Sequence, residues 1–306
     1  MRPLKTLAAA LLPALALTAC GSSGAPVKAA QGVDPQRDVV SQEHKVDAIA
    51  ALLPAEVRAA GSIKVGAAVG TPPTAYYPDP ATKKPAGLDV DFTDAVAKVL
   101  GLTVTREDAA FETILPALGS GKYDLGTGNF GVTTARLKTI DFVTYIDDGQ
   151  GFAVKKDNTT LGTVTDLVQL CGLTIGTGTG TTFESTLNAR KNVCTDAGKK
   201  PYTVQSFSEN AAILTSLQQG RVDAVMSTIN GLRYQAAQPA AGTRFLGEFH
   251  RLDVGFAFKK GTPLAPAFQA AVNQLIKDGT YQRILEKWGT TGSAVPQSQI
   301  SPPEHS

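Results

Sequence analysis

Residues 114–124, ILPALGSGKYD, recur later in the chain as residues 213–223, ILTSLQQGRVD. Both copies follow the pattern I-L-x-x-L-x-x-G-(K/R)-x-D, in which apolar residues at helical spacing run up to a glycine. A glycine at that place favours the end of a helix, and the residues after it are typical of a strand. Two similar strand segments, 61–66 and 172–176, precede the two copies in the same order. The repeat therefore predicts two similarly built halves.

The segments between these repeats alternate between strand and helix patterns. Residues 63–66 and 102–105 are predicted strands, and residues 89–100 form a predicted helix that ends at a glycine. Such alternation is typical of an open α/β sheet. Ligands of open α/β sheets bind beyond the carboxyl ends of the strands, which places residues 127–131 and 226–230 at a cleft between two lobes.

The glycines of GTGNFG, residues 126–131, match a dinucleotide-binding fingerprint. That fold needs a long crossover helix after the glycines, but only residues 133–138 remain before the extended segment 140–145. We therefore expect no nucleotide cofactor and interpret the segment as a glycine-rich loop at the cleft. Arg136, just beyond it, can hold a carboxylate through two parallel hydrogen bonds.

The N-terminus is typical of an exported protein. Residues 1–5 are cationic, residues 6–17 are apolar, and the sequence LTAC ends at Cys20. This arrangement resembles the bacterial lipobox, which implies a signal peptide of residues 1–19 and an extracytoplasmic protein anchored to the membrane by lipidated Cys20. An ordinary signal peptide with a cysteine near its cleavage site is the alternative. Residues 20–60 are expected to form a flexible tether and a helical segment interrupted at Pro54.

The net charge indicates which partners the protein can have, and its cysteine content indicates an oxidising compartment. Removal of residues 1–19 takes away Arg2 and Lys5, so 27 basic residues remain against 27 acidic ones. This balance argues against a nucleic-acid partner. Cys171 and Cys194 are predicted to form a disulfide after export, with two buried free thiols as the alternative. The three histidines share no local spacing, and we expect no metal site.

Six short segments of the chain form a pattern: GLDVDF (87–92), LPAL (115–118), VTTAR (132–136), GTT (180–182), GRVDAV (220–225) and DGTYQRI (278–284). Together they resemble the family 3 extracellular solute-binding proteins, which serve polar amino-acid ABC transporters. The resemblance extends from about residue 63 to residue 288 and implies a type II periplasmic-binding-protein-like fold with mixed sheets and a hinge, and delivery of a ligand to an ABC permease. We expect a monomer without a cofactor.

The family resemblance assigns ligand contacts to particular positions in the first half. Arg136 corresponds to the arginine that holds the ligand α-carboxylate. Asn129 and Gly131 correspond to the loop that contacts the α-amino group, and Phe111 to an aromatic residue that lines the pocket.

Thr181 and Thr182 correspond to a second carboxylate contact in the other half. The pattern Thr181-x-x-Glu184 independently predicts a capping box at the start of a helix. A helix N-terminus offers free N–H groups and a positive dipole end to an anion. Thr181 as a purely structural cap is the alternative, and Thr182 is the stronger candidate for the ligand.

One position departs from the family pattern. The family usually places an aspartate five residues after the aspartate of the GRVDA segment, where it pairs with the ligand ammonium. Here that count from Asp223 reaches Thr228, whose hydroxyl accepts a hydrogen bond but carries no charge. Asp147, Asp148 and Glu112 are the candidates for a replacement charge.

The predicted organisation assigns residues 61–152 plus 253–293 to lobe one and residues 153–252 to lobe two, followed by a flexible tail, 294–306. A hinge is expected near residues 151–154 and 254–257. The predicted function is binding of a small carboxylate, amino-acid-like ligand by cleft closure, without catalysis. A ligand-sensing adaptor for a membrane receptor and a dehydratase-type enzyme on the same scaffold are the alternatives.

Overall fold

A computed structural model describes residues 33–305 of the chain. The predicted signal peptide and the lipidation site at Cys20 lie outside the described residues. Within residues 33–305, no helix has both the length and the apolar character that crossing a membrane would require.

The described residues contain one mixed sheet of eight strands in the order β2-β1-β3-β8-β4-β7-β5-β6. Three strands therefore lie on each side of a central antiparallel pair, β4 and β8, so that the sheet has two halves, one for each lobe. The strands are β1 (Ser62–Ala67), β2 (Thr103–Asp108), β3 (Leu125–Thr127), β4 (Ile140–Lys155), β5 (Thr174–Gly178), β6 (Thr203–Phe207), β7 (Ala224–Thr228) and β8 (Thr243–Lys259).

Ten α-helices pack on this sheet within the described part of the chain. The predicted helix at residues 89–100 is confirmed as α3, and its apolar residues Phe92, Val96, Val99 and Leu100 are all buried. The helices are α1 (Asp47–Ala50), α2 (Ala55–Ala60), α3 (Leu88–Leu100), α4 (Phe111–Ser120), α5 (Thr182–Ala189), α6 (Val193–Asp196), α7 (Asn210–Gln218), α8 (Ile229–Ala236), α9 (Ala265–Asp278) and α10 (Thr280–Trp288).

The internal repeat forms equivalent elements in the two lobes. Its first copy is α4 followed by β3, and its second copy is α7 followed by β7. Gly121 ends α4 with φ of 76°, a left-handed conformation that costs glycine little. The glycine loop after β3 leads into a 3-10 turn at Arg136–Lys138 and then directly into β4, without a crossover helix. The two-lobed mixed α/β fold is confirmed.

The central pair β4 and β8 connects the lobes. The two strands pair from Ile140 with Lys259 to Lys155 with Thr243. β3 joins this pair at Ala257, whereas β7 joins it along residues 150–153. The segments predicted to form the hinge, 151–154 and 254–257, are therefore not opposite each other. The two strands pass from one lobe to the other between these segments, where residues 147–150 pair with residues 250–253, and we call this place the crossing.

Each lobe has its own apolar core. Lobe one packs α3, α9 and α10 around buried rings that include Phe92, Tyr145, Phe256 and Trp288. A separate cluster in lobe two contains Phe152 and Met226 together with buried Cys194. The core of lobe one also includes Tyr234 of α8 in lobe two, so the lobes are joined both through the sheet and through this ring.

The predicted disulfide is confirmed. Cys171 and Cys194 are bonded, with their Cα atoms 5.5 Å apart. The bond connects the turn before β5 to α6, both of which pack on the core of lobe two.

The terminal segments differ from the sequence expectation. Helices α1 and α2 do break at Pro54, as expected. The preceding segment, however, is not a free tether from residue 33 onward, since Val33 and Val39 are 7% exposed and belong to the core of lobe one. The C-terminal tail is also attached to lobe one: Ile300 bridges to Val143, and Ser301 accepts a hydrogen bond from the Phe142 backbone. Both segments hold only a few apolar residues among prolines and polar residues, so their sequence did not predict that they pack on lobe one.

Ending the chain after Ser293 is expected to destabilise lobe one. The deletion removes hydrogen bonds of residues 295–301 to Thr144, Phe142 and Tyr281. At about 1 kcal/mol each, their loss lowers the free energy of unfolding by about 3 kcal/mol and the melting temperature by roughly 10 °C. Differential scanning calorimetry measures this change. The exposed Gln297→Ala substitution is the control, and an unchanged melting temperature on deletion would contradict the attachment.

Candidate functional site

A cleft of about 220 Å³ opens where the carboxyl ends of the strands of both lobes meet. This is the place at which open α/β sheets bind ligands. Residues of both lobes line it, so a molecule in the cleft contacts both. Six of the seven predicted ligand residues are among those that line it: Phe111, Asn129, Arg136, Thr181, Thr182 and Thr228.

Arg136 spans the two lobes at the edge of this cleft. Its Nη1 donates to the Gly131 carbonyl of lobe one at 3.0 Å, and its Nη2 donates to the Gly180 carbonyl of lobe two at 3.2 Å. Burial lowers the pKa of the guanidinium to about 10, and no neighbouring acid among the described residues offsets this. A half-buried positive charge without an acidic partner is a favourable place for an anion.

Two aromatic rings support the guanidinium. Phe111 stacks on Phe130 with 4.6 Å between ring centroids. The guanidinium carbon of Arg136 lies 5.8 Å from the Phe111 centroid and 5.7 Å from the Phe130 centroid. Contacts at these distances attract the cation and restrict its orientation. Phe111 thus lines the cleft and also positions the arginine.

Thr181 and Thr182 have different roles although they are adjacent. The Thr181 hydroxyl donates to the Gly178 carbonyl at 2.7 Å and accepts from the Glu184 backbone at 3.2 Å, which makes it the N-cap of α5. The Thr182 hydroxyl has no partner among the described residues, and its own backbone N–H lies in the first turn of α5. The cap residue is therefore occupied, whereas Thr182 is available to an anion.

Gly131 is not among the residues that line the cleft. Its carbonyl accepts the hydrogen bond from Arg136, and its backbone bridges to Val254. A β-carbon at this position would lie 3.0 Å from Leu252 Cδ1. Close packing and the support of Arg136 account for a glycine at this position, and the amino-group contact that the resemblance implies for Gly131 stays a prediction.

The loop that carries Asn129 is held by a buried carboxylate. Asn129 has a left-handed φ of 57°, and its backbone N–H donates to Asp89 Oδ2 at 3.0 Å. Tyr145 donates its hydroxyl to the other oxygen of Asp89 at 2.6 Å. Burial raises the pKa of Asp89 to about 6, although these hydrogen bonds oppose the rise. Asp89, in the first turn of α3, therefore fixes the backbone of the glycine-rich loop.

Thr228 also caps a helix. Its hydroxyl accepts from the Gly231 backbone at 3.0 Å at the start of α8, so it offers the cleft a hydroxyl proton and no charge. The three candidates for a replacement charge do not line the cleft. Asp147 lies 3.8 Å from Arg251, Asp148 is fully buried, and Glu112 Oε2 is buried without a hydrogen-bond partner among the described residues.

Two acids that the sequence analysis missed do line the cleft. Asp108 ends β2 and accepts a hydrogen bond from the Tyr77 hydroxyl at 3.0 Å. Glu209 is the residue before α7, shortly after the end of β6. Both follow strands at their carboxyl ends, and this signal alone would have found them. They give the cleft negative charge, and neither forms an ion pair with Arg136 in the described part of the chain.

Comparisons with known proteins agree with this geometry. A family model for bacterial extracellular solute-binding proteins, family 3, matches residues 63–291. The arginine-binding protein ArgT of Corynebacterium glutamicum is 28% identical over 258 residues, which cover 84% of this chain and 83% of that protein. The L-cystine-binding protein TcyJ of Escherichia coli is 29% identical over 236 residues, covering 76% of this chain and 84% of that protein.

A solved structure gives the same result. An ancestral arginine-binding protein bound to arginine is 34% identical, with a TM-score of 0.67, and the match covers 74% of this chain and 98% of that chain. The residues that the family model matches, 63–291, contain β2 to β8 and all but the first residue of β1, the strands that build the cleft. The chain belongs to family 3 of the bacterial extracellular solute-binding proteins.

Proposed function

We propose that the protein binds an amino acid or a closely similar carboxylate in the cleft between its lobes and delivers it to an ABC importer. The observation that carries this proposal is Arg136, a guanidinium without an acidic partner that contacts both lobes. A ligand carboxylate between Arg136 and Thr182 would neutralise the buried charge and contact both lobes at once. Binding would thereby favour the closed arrangement of the lobes.

The remaining lining of the cleft supports an amino-acid ligand. Asp108 and Glu209 offer carboxylates and Asn129 offers an amide, whereas Arg136 lies where a carboxylate group would bind. A zwitterion with a polar or cationic side chain matches this distribution of charge. The relatives named for arginine and cystine are consistent with such a ligand.

Binding without catalysis is the second part of the proposal. The described residues that line the cleft include no histidine, and the carboxylates among them, Asp108 and Glu209, are exposed. General acid–base catalysis needs a group with a pKa tuned to its task and placed at the reacting atoms. Relatives named as binding proteins favour the same function.

Attachment to the membrane is the third part of the proposal. A lipid on Cys20 would hold the protein at the outer face of the cytoplasmic membrane, close to its permease. Residues 21–32 would then connect the lipid to Val33, the first described residue that packs on lobe one.

Arg136→Ala is expected to abolish ligand-induced stabilisation. A panel of the twenty amino acids in a thermal-shift assay identifies those that raise the melting temperature, because a ligand stabilises the folded state it binds. Losing one side of a buried charge pair costs about 3 kcal/mol, or roughly a 100-fold loss of affinity. Lys138→Ala, an exposed lysine on the same turn, is the control. A full shift in the Arg136→Ala protein would overturn the carboxylate assignment.

The two threonines are expected to separate stability from affinity. Thr181→Ala removes the cap of α5 and lowers the free energy of unfolding of the ligand-free protein by about 1 kcal/mol. Thr182→Val keeps that stability nearly unchanged but removes a hydroxyl that bonds a charged group, which lowers affinity roughly tenfold or more. Calorimetric melting and titration measure the two effects. Equal effects of both substitutions on affinity would contradict the division of roles.

A further inference from the structure

Asp148 is a buried acid directly behind the ligand loop, at the crossing between the lobes. It lies on β4 where that strand passes from lobe one to lobe two, and its side chain is fully buried. Its Oδ1 accepts from the Asn230 backbone N–H at 3.1 Å, in the first turn of α8. Its Oδ2 accepts from Asn129 Nδ2 at 3.1 Å. One carboxylate thus holds a cleft residue of lobe one and a helix start of lobe two.

The hydrogen bond to Asp148 determines which end of the Asn129 amide remains for a ligand. A carboxylate accepts and does not donate, so it draws the NH2 group of Asn129 toward itself. The amide oxygen, Asn129 Oδ1, is buried and has no partner among the described residues. Since Asp89 fixes the loop backbone, the amide has little freedom to turn as a whole. Asn129 therefore presents an acceptor, which suits an ammonium and not a second carboxylate.

We propose that Asp148 is a positioning residue that makes the cleft select ligands carrying an ammonium group. It does so by orienting Asn129 and by supplying, from behind it, the negative charge that Thr228 lacks. This inference rests on the proposed function, because it names the part of an amino-acid ligand that the cleft recognises. Asp148 does not itself line the cleft, so it acts through Asn129 and through its charge in a poorly solvated interior.

The position of Asp148 relative to Thr228 supports its role as the source of the charge that Thr228 lacks. Gln150 pairs with Thr228 across β4 and β7, and Asp148 lies two residues from Gln150 on the same strand. Thr228 and Asn230 are likewise two residues apart, and Asn230 donates to Asp148. Asp148 therefore lies behind the part of the cleft that Thr228 lines, two residues along β4 from the partner of Thr228.

The ionisation of Asp148 gives the proposal a pH dependence. Burial raises the pKa of Asp148 to about 7, and the charged or titratable groups facing it are Arg251, which opposes the rise, and Tyr145. Asp89, with a pKa raised to about 6, contacts the same loop through Asn129. Below pH 7 the protonated Asp148 carries no charge. Affinity for an ammonium-bearing ligand should therefore fall as the pH is lowered through 7, while that of an amine-free carboxylate should not.

The test compares matched ligands with and without the amine on the full-length protein. The probes are L-arginine with 5-guanidinopentanoate and L-glutamine with glutaramate, measured by isothermal titration calorimetry at pH 8. Asp148→Asn places an NH2 group against Asn129 and turns its amide over, so a donor faces the cleft. We expect a tenfold or greater loss of affinity for the amino acid and less than a twofold change for its amine-free partner.

Three further variants separate positioning from a general structural effect. Asp89→Asn, which disturbs the loop backbone, should weaken both members of a ligand pair alike. Adding Thr228→Asp to Asp148→Asn should restore the preference for the amine, because aspartate keeps the helix cap and returns the charge. Asn129→Gly suits the left-handed φ and removes the amide, so it should weaken the selection for the amine while the pH dependence that comes from the Asp148 charge remains. It also serves if Asp148→Asn fails to fold.

The outcomes distinguish this inference from the proposed function. Equal weakening of both ligands by Asp148→Asn, or the same pH profile for both ligands with the unaltered protein, would overturn the role of Asp148 while binding that depends on Arg136 stands. If no amino acid and neither amine-free probe binds the unaltered protein, both the proposed function and this inference are wrong.

Discussion

The antiparallel pairing of β4 with β8 is the constraint on which the rest of the molecule depends. These two strands continue through both lobes, and each lobe adds three strands to one half of the pair. Apart from Tyr234 of α8, which packs in the core of lobe one, the clusters around Phe92 and Phe152 lie in different lobes, so the sheet carries much of the connection between them. Rotation of one lobe against the other then requires changes in few backbone angles at the crossing, and the cleft in front of that crossing opens or closes as a unit.

The chemistry of the cleft combines charges of opposite sign that are held in place by different means. Arg136 is oriented by two carbonyl groups, one from each lobe, and by the rings of Phe111 and Phe130. Asp108, an acid that lines the cleft, accepts a hydrogen bond from a tyrosine hydroxyl, and the buried acids Asp89 and Asp148 behind the glycine-rich loop accept hydrogen bonds from backbone N–H groups. Such preorganisation reduces what a ligand must order when it binds.

The sequence predicted the features of the fold that depend on neighbouring residues. The repeat at residues 114–124 and 213–223 identified two lobes, strand ends placed Asn129 and Thr228 at a cleft, and the family resemblance added Arg136 and Thr182. Two features depend on the register between distant strands and could not be predicted. One is the offset between residues 151–154 and 254–257, and the other is the position of Asp148 behind Asn129. Neither appears in a pattern of neighbouring residues, because both depend on how β4 aligns with β8. The attached tail was missed because its few apolar contacts are made with a distant strand.

Both ends of the described chain pack on lobe one, and lobe two is inserted between them. Val33 lies in the core of lobe one, and Gln299 and Ser301 hydrogen-bond β4 near its beginning. Lobe one therefore remains incomplete until the last residues of the chain have been synthesised, whereas lobe two has its core and its disulfide within one continuous segment. Lobe two can therefore fold as a unit before lobe one has all of its strands and helices.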